Sequence, residues 1–380
     1  MDQDPNTRYP PRDGLGLWRD GLLIIILSVL ALYAGAGFLV PLALAILVFL
    51  LISAVSDRAR DIWWFSFPMP IWLANLTGVA VVLSGIGALA YVLASQARQF
   101  IQTMPGYEVE MDTAIARVAA LMGNSAAHAL KDMIVDIDMS VLAITAFGGA
   151  RSFLTMFLLI CLYVAFMMAE RGIIVRKVQI TAGHRRFGRD LPHVMQEISQ
   201  SLRRYVGVKT FISTLTALIS YAVFRYLGLE FAETWAVLTF ALNFIPSIGS
   251  VVAVLFPAAA SLVQFANITP FLIILFGCGS VQFAIGNFLD PALLGRSLNL
   301  STLMVILALT FWSGVWGITG AFLSVPLTVF LLIIFSHVPA LRPLAVLMSQ
   351  DGTLEDDPED TPQDTPENMP ENTSKNTPPP

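Results

Sequence analysis

The sequence predicts an all-α polytopic membrane protein: six full transmembrane helices, two broken or re-entrant hairpin segments (about eight spans in all) and amphipathic interfacial helices. Three observations carry that prediction. Hydrophobic residues make up 56% of the 380 and charged residues 13%, with a mean hydropathy of +0.71, more apolar surface than a soluble core of this size can hide. Apolar runs long enough to cross the roughly 30 Å hydrocarbon core recur along the chain, at about 20 helical residues per crossing. Finally, the 30-residue run from Thr234 to Val263 is almost wholly apolar yet is interrupted by Asn243-Phe-Ile-Pro-Ser-Ile-Gly249. It is too long for one untilted span and short for two, so it reads as a broken helix or a re-entrant hairpin. Non-helical backbone survives at membrane depth only against protein or a water-filled cavity, so such breaks mark substrate or ion sites in transporters.

Residues 1–20 are polar, carry Arg8, Arg12 and Arg19, and read as a cytoplasmic N-terminal segment. The apolar stretch Gly21 to Val55 is too long for a signal peptide, and Ala34-Gly-Ala-Gly37 with Pro41 splits it into two short helices. Asp57, Arg58, Arg60 and Asp61 close that pair, and Ile71 to Ser95 is a third span. Between residues 96 and 145 the chain is half polar, with Leu130, Met133, Ile134, Ile137 and Val141 on one helical face, the pattern of an interfacial segment. Phe147 to Ala169 is a fourth span. The segment 171–209 holds nine of the 22 basic residues, with Leu191, Val194, Ile198, Leu202 and Val206 as its apolar stripe. A basic amphipathic helix of this kind belongs on the cytoplasmic face, beside anionic lipid.

Phe211 to Leu227 is a fifth span, with Arg225 near its outer end, and Pro270 to Asn287 follows the broken run as a sixth. The last run, Thr302 to Val338, again exceeds one crossing and contains Gly314, Gly317, Gly320 and Pro326. It matches the first broken run faintly at an offset of 68 residues, which sets Gly249 on Gly317. Two hairpins separated by one span enter the membrane from opposite sides, and the span count leaves both termini in the cytoplasm. The membrane domain is thus 21–345, with amphipathic insertions at 96–145 and 171–209. Residues 351–380 hold nine acids against Lys375, a net charge of −8, leaving the membrane body at about +3. With seven prolines and no apolar run, this tail reads as disordered.

Enzyme motifs are absent. No G-x-x-x-x-G-K-[ST] is present to bind ATP and no H-E-x-x-H to bind zinc, so uphill movement of a solute needs an ion gradient or a separate motor. His128, His184, His193 and His337 lie outside the spans or at their edges, so Ser280 of Gly277-Cys-Gly-Ser280 has no activating base and these small residues pack helices. Cys161 and Cys278 sit in apolar runs as packing residues. No cofactor, metal or nucleic-acid partner is expected. What remains is a short set of polar groups at membrane depth: Asn243, Ser247, Gln264, Gln282, Asn287 and Asp290. A carboxylate near the core costs a few kcal/mol unless it is paired, protonated or wet. Asp290 is therefore either a group that titrates during transport or a helix cap at headgroup level.

The blocks 242–257 (LNFIPSIGSVVAVLFP) and 285–328 (IGNFLDPALLGRSLNLSTLMVILALTFWSGVWGITGAFLSVPLT) resemble the signature blocks of the bacterial autoinducer-2 exporter family, and 205–220 (YVGVKTFISTLTALIS) resembles the block before them. The likeness is greatest to the branch that contains the quorum-signal exporter itself. It implies a protein of the bacterial inner membrane that releases a small polar signal under an ion gradient, assembled as a homo-oligomer, with a pentamer as one form. It places weight on Asn243, Pro246, Gly249 and Pro257, then on Asn287, Asp290, Pro291, Gly295, Gly317, Gly320 and Pro326. Many members carry Glu at the position of Asp290 and Pro after the glycine that is Gly249 here. The expected substrate pathway or gate is therefore Asn243, Pro246, Ser247, Gly249, Asn287, Pro291, Gly317, Gly320 and Pro326, with Asp290 coupling a proton or cation. The alternatives are a Na⁺(Li⁺)/H⁺ antiporter, as some members are credited to be, and a non-transporting membrane scaffold.

Overall fold

Backbone held away from water must satisfy its own hydrogen bonds, which favours helices. The computed structural model describes residues 14–61, 70–103, 139–182, 191–294 and 298–352, and these form ten helices with no strand among the described residues. Most of the predicted interfacial segment 96–145, of the N-terminal segment 1–20 and of the acidic tail lies outside them. Helices α1 (Gly14–Ala34) and α2 (Ala36–Asp61) break at Gly35, with Pro41 inside α2 rather than at the break. They are followed by α3 (Ile71–Thr103), α4 (Met139–Ala182) and α5 (Leu191–Leu227). Next come α6 (Ala232–Leu242), α7 (Ile248–Gln264) and α8 (Thr269–Leu294), and the chain closes with α9 (Thr302–His337) and α10 (Arg342–Met348). By length and apolarity α2, α3, α4, α5, α8 and α9 can each cross a bilayer, while α6 and α7 are shorter apolar helices.

Helices α6 and α7 form the first hairpin, and its turn is built from the predicted break. Ser247 takes a positive φ of 58°, and a Cβ placed on Gly249 would stand 1.7 Å from the Leu242 carbonyl oxygen. Only glycine allows the two arms that approach. At the open end, Gln264 accepts from the Glu230 amide and donates to the Gly228 carbonyl, both at 2.8 Å. Gln264 is therefore a clasp for the hairpin's base rather than a pathway residue.

Helix α9 reverses direction too. Residues sixteen apart in a straight helix are separated by about 24 Å, yet Trp312 Nε1 donates to Thr328 Oγ1 at 3.2 Å. The reversal falls at Trp316 (φ −125°) and Gly317 (φ 62°, ψ −143°), and a Cβ on Gly320 would lie 1.8 Å from the Trp312 carbonyl oxygen. The arms are 302–315 and 318–337. Gly314, expected to interrupt the run, lies inside the first arm with open space around it. Because α8 separates the two hairpins, they open at opposite ends of the bundle, and their tips meet where Phe244 stacks on Phe322 at 4.7 Å.

Two expectations change. The basic amphipathic helix and the fifth span are one unbroken α5, and the stripe Ile198, Leu202 and Val206 packs on Leu50 of α2 and Val325, Val329 and Ile333 of α9. The stripe faces protein instead of lipid, and Arg203 pairs with Asp57 at the end of α2. Helix α8 also runs past Asn287, where the sixth span was expected to end, through Asp290 and Pro291, to Leu294. Proline lacks an amide and its ring clashes with the carbonyl four residues back. A π-helical stretch at Ile285–Leu289 immediately precedes Pro291 and widens the turn that would clash.

Candidate functional site

A cavity of about 610 Å³ opens between the first hairpin's tip, α5 and α8, lined by Asn243, Pro246, Ser247, Gln282, Asn287, Asp290 and Lys209 among others. That volume lies within the range of small-molecule sites, roughly 300–1,000 Å³. The broken turn supplies one wall because a chain that stops being helical turns its peptide groups outward, and the two π-helical stretches of α8 supply the opposite one. Bulges of this kind shift side-chain register at functional sites.

The charged pair is the strongest feature. Lys209 Nζ lies 2.7 Å from Asp290 Oδ2, with side chains only 11% and 21% exposed. Each charge lowers the cost of burying the other, so Asp290 is the paired carboxylate that membrane depth calls for, inside α8 rather than capping a following helix. Around the pair, three polar atoms, Asn243 Nδ2, Gln282 Nε2 and Asp290 Oδ1, are buried without a hydrogen-bond partner among the described residues. Asn243 and Gln282 are each 7% exposed. Buried polar groups are overwhelmingly bonded, so an unpaired donor on the turn's wall, with an unpaired donor and an unpaired acceptor on the α8 wall opposite, fits a polar guest.

The other predicted positions divide. Asn287, on the same wall, is turned back on its own helix, donating to the Phe283 carbonyl at 2.9 Å. Pro246 and Ser247 line the cavity, while Gly249 sits behind them and sets the tightness of the turn. Pro291 follows Asp290 without lining the cavity. Gly317, Gly320 and Pro326 belong to the second hairpin and do not line the cavity. Sequence reasoning missed Lys209, which it grouped with the basic segment. The signal was present: Lys209, Ser213, Thr216 and Ser220 recur at helical spacing, and all four are buried on one face of α5.

A model of the AI-2E family transporters matches residues 22–340. The chain belongs to the AI-2E transporter family. It is similar to the AI-2 transport protein TqsA of Escherichia coli (strain K12), 32% identical over 336 residues that cover 87% of this chain and 94% of that protein. A putative transport protein of Haemophilus influenzae is 30% identical over 351 residues, 88% of this chain and 95% of the relative. The putative permease PerM of Escherichia coli (strain K12) is 24% identical over 331 residues, 80% and 89%. Like other AI-2E transporters, the chain is a multi-pass membrane transport protein and not an enzyme. Within an AI-2E transporter, a cavity at a broken hairpin stands where a solute pathway is sought.

Proposed function

We propose that this transporter exports a small polar signal or metabolite, autoinducer-2 being the named candidate, through the cavity at the first hairpin's tip, driven by an ion gradient. The observation that carries the reading is the trio of unpaired buried polar atoms around one cavity, Asn243 Nδ2, Gln282 Nε2 and Asp290 Oδ1, beside the Lys209–Asp290 pair. A solute with several hydroxyl groups satisfies donors and acceptor together, and the similarity to TqsA supports the candidate cargo. By helical rise, the tip at the end of α6 lies about 16 Å from the hairpin's open end and Lys209 about 27 Å from the same end of α5. The cavity is lined from Val254 and Leu275 beside the hairpin to Lys209 and Asp290 past its tip, and so extends towards the end that carries the basic start of α5. The positive-inside rule makes that end cytoplasmic, with both termini on the same side of a bacterial inner membrane. In this state the cavity is open inward, with the hairpin of Asn243, Pro246, Ser247 and Gly249 as the gate on the outward side. Assembly as a homo-oligomer, a pentamer among the candidates, belongs to the same proposal.

The test is uptake of labelled autoinducer-2 into inside-out vesicles, with and without an imposed proton gradient, beside Asn243→Ala and Pro246→Ala. Gradient-dependent uptake that falls in both variants supports the proposal. Absence of uptake under every gradient removes the cargo. A second reading, Na⁺(Li⁺)/H⁺ antiport, is favoured by the Asp290 carboxylate on the cavity wall. It requires sodium- or lithium-driven proton movement that Asp290→Asn abolishes.

A further inference from the structure

Away from the cavity, the structure brings His337 against His193 and Glu197, which lie far earlier in the sequence. His193 and Glu197 lie one turn apart on one face of α5, and His337 ends α9. Their ligand atoms all lie within 4.8 Å of one another. His337 Nε2 stands 3.6 Å from Glu197 Oε2, longer than a hydrogen bond and close to the separation of two atoms bound to one tetrahedral ion at about 2.1 Å each. The His193 and His337 rings are 6.2 Å apart between centroids. Exposed His193 has room to close the remaining gap.

The orientation of His337 adds an independent observation. Its Nδ1 lies 2.9 Å from the Ile333 carbonyl oxygen, and a carbonyl only accepts, so the ring proton sits on Nδ1. Nδ1 also lies 3.1 Å from Ser336 Oγ, whose own proton goes to the same carbonyl at 2.8 Å. Nε2 is the ring nitrogen that faces Glu197. A backbone carbonyl that fixes the tautomer in this way is the usual outer support of a metal-binding histidine.

We propose that His193, Glu197 and His337 form a binding site for a divalent transition ion of the zinc class, separate from the transport cavity. Two imidazoles and one carboxylate select zinc, cobalt or nickel over magnesium or calcium, and three protein ligands leave a fourth position to water. The ion joins the start of α5 to the end of α9, across the contact of Ile198 and Leu202 with Val329 and Ile333. Glu197 is about 18 Å along α5 from Lys209, so the ion does not touch the solute. It pins the open end of the second hairpin to α5.

The test uses full-length protein purified in detergent without a polyhistidine tag, titrated with Co²⁺ and with Zn²⁺. One ion per chain is expected, with the intense visible absorption of tetrahedral cobalt and a raised melting temperature in zinc. His193→Ala and Glu197→Gln should each weaken binding at least about tenfold and remove the zinc-dependent thermal shift. His337→Gln should behave the same way, and His193, being exposed, provides a variant that does not disturb packing. Failure to bind one equivalent, or binding that survives both His193→Ala and Glu197→Gln, overturns the proposal.

Discussion

Replacing Lys209 with Met removes one charge of the pair and keeps the volume of the side chain. The partner Asp290 is then left with only its cavity face for solvation. Breaking a fully buried pair from one side costs about 3–5 kcal/mol, because the surviving charge is uncompensated. Here the Asp290 side chain is 21% exposed and borders the cavity, so water screens part of that charge, and about 2 kcal/mol is expected. Asp290→Asn alone leaves the ammonium of Lys209, 11% exposed, in a similar position. The double variant removes both charges and should cost only about 1 kcal/mol where the separate losses would add to about 4, a coupling of about 3 kcal/mol. Thermal unfolding of the four proteins in one detergent measures this cycle, and the single variants should melt a few degrees below the parent. If Lys209→Met melts with the parent, or the two losses add to within about 0.5 kcal/mol, the pair does not hold α5 to α8 and the argument from it fails.

The hairpin turns give two further predictions. Gly249→Ala and Gly320→Ala each place a methyl carbon 1.7 or 1.8 Å from a backbone carbonyl oxygen, so the arms must part by more than an ångström. A loss of about 3 kcal/mol should appear as a clear drop in melting temperature, whereas Gly314→Ala, which meets nothing within 4 Å, should be neutral to within about 0.5 kcal/mol. Gly317→Ala meets no neighbour either, but at φ 62° and ψ −143° it should lose about 1–3 kcal/mol through backbone strain alone. Equal melting of Gly314→Ala and Gly317→Ala would contradict the reversal in α9.

Much of the fold was legible because the bilayer imposes a length and a hydropathy on every crossing. The break at Asn243 to Gly249 was legible for the complementary reason, that Asn, Pro, Ser and Gly together have no helical use inside an apolar run. Helix ends were read less well. Asn287 looked like the end of a span because polar residues follow it, yet α8 continues through Pro291, since a π-helical turn absorbs the proline. Likewise the basic stretch before Phe211 looked like a separate surface helix, because nothing local reveals that Arg203 will meet Asp57 or Lys209 will meet Asp290. Those pairings span 146 and 81 residues, and only the packing of α2, α5 and α8 brings them together.

The relation between the two hairpins shows where pattern matching gives way to geometry. An offset of 68 residues aligns Gly249 with Gly317 by identity, but the two glycines do different things. Gly317 supplies a positive φ, a task that Ser247 performs in the first hairpin, and Gly249 supplies the close approach that Gly320 provides in the second. Matched by task, the turns correspond through Ser247 with Gly317 and Gly249 with Gly320. The first turn therefore carries a side chain in a left-handed conformation where the second carries none. A non-glycine residue held there is strained by about 1–2 kcal/mol, and Ser247 is the strained residue that lines the cavity. The strained turn is thus the one that borders the unpaired polar atoms, while the relaxed turn lies outside the cavity and meets the first through Phe322 on Phe244.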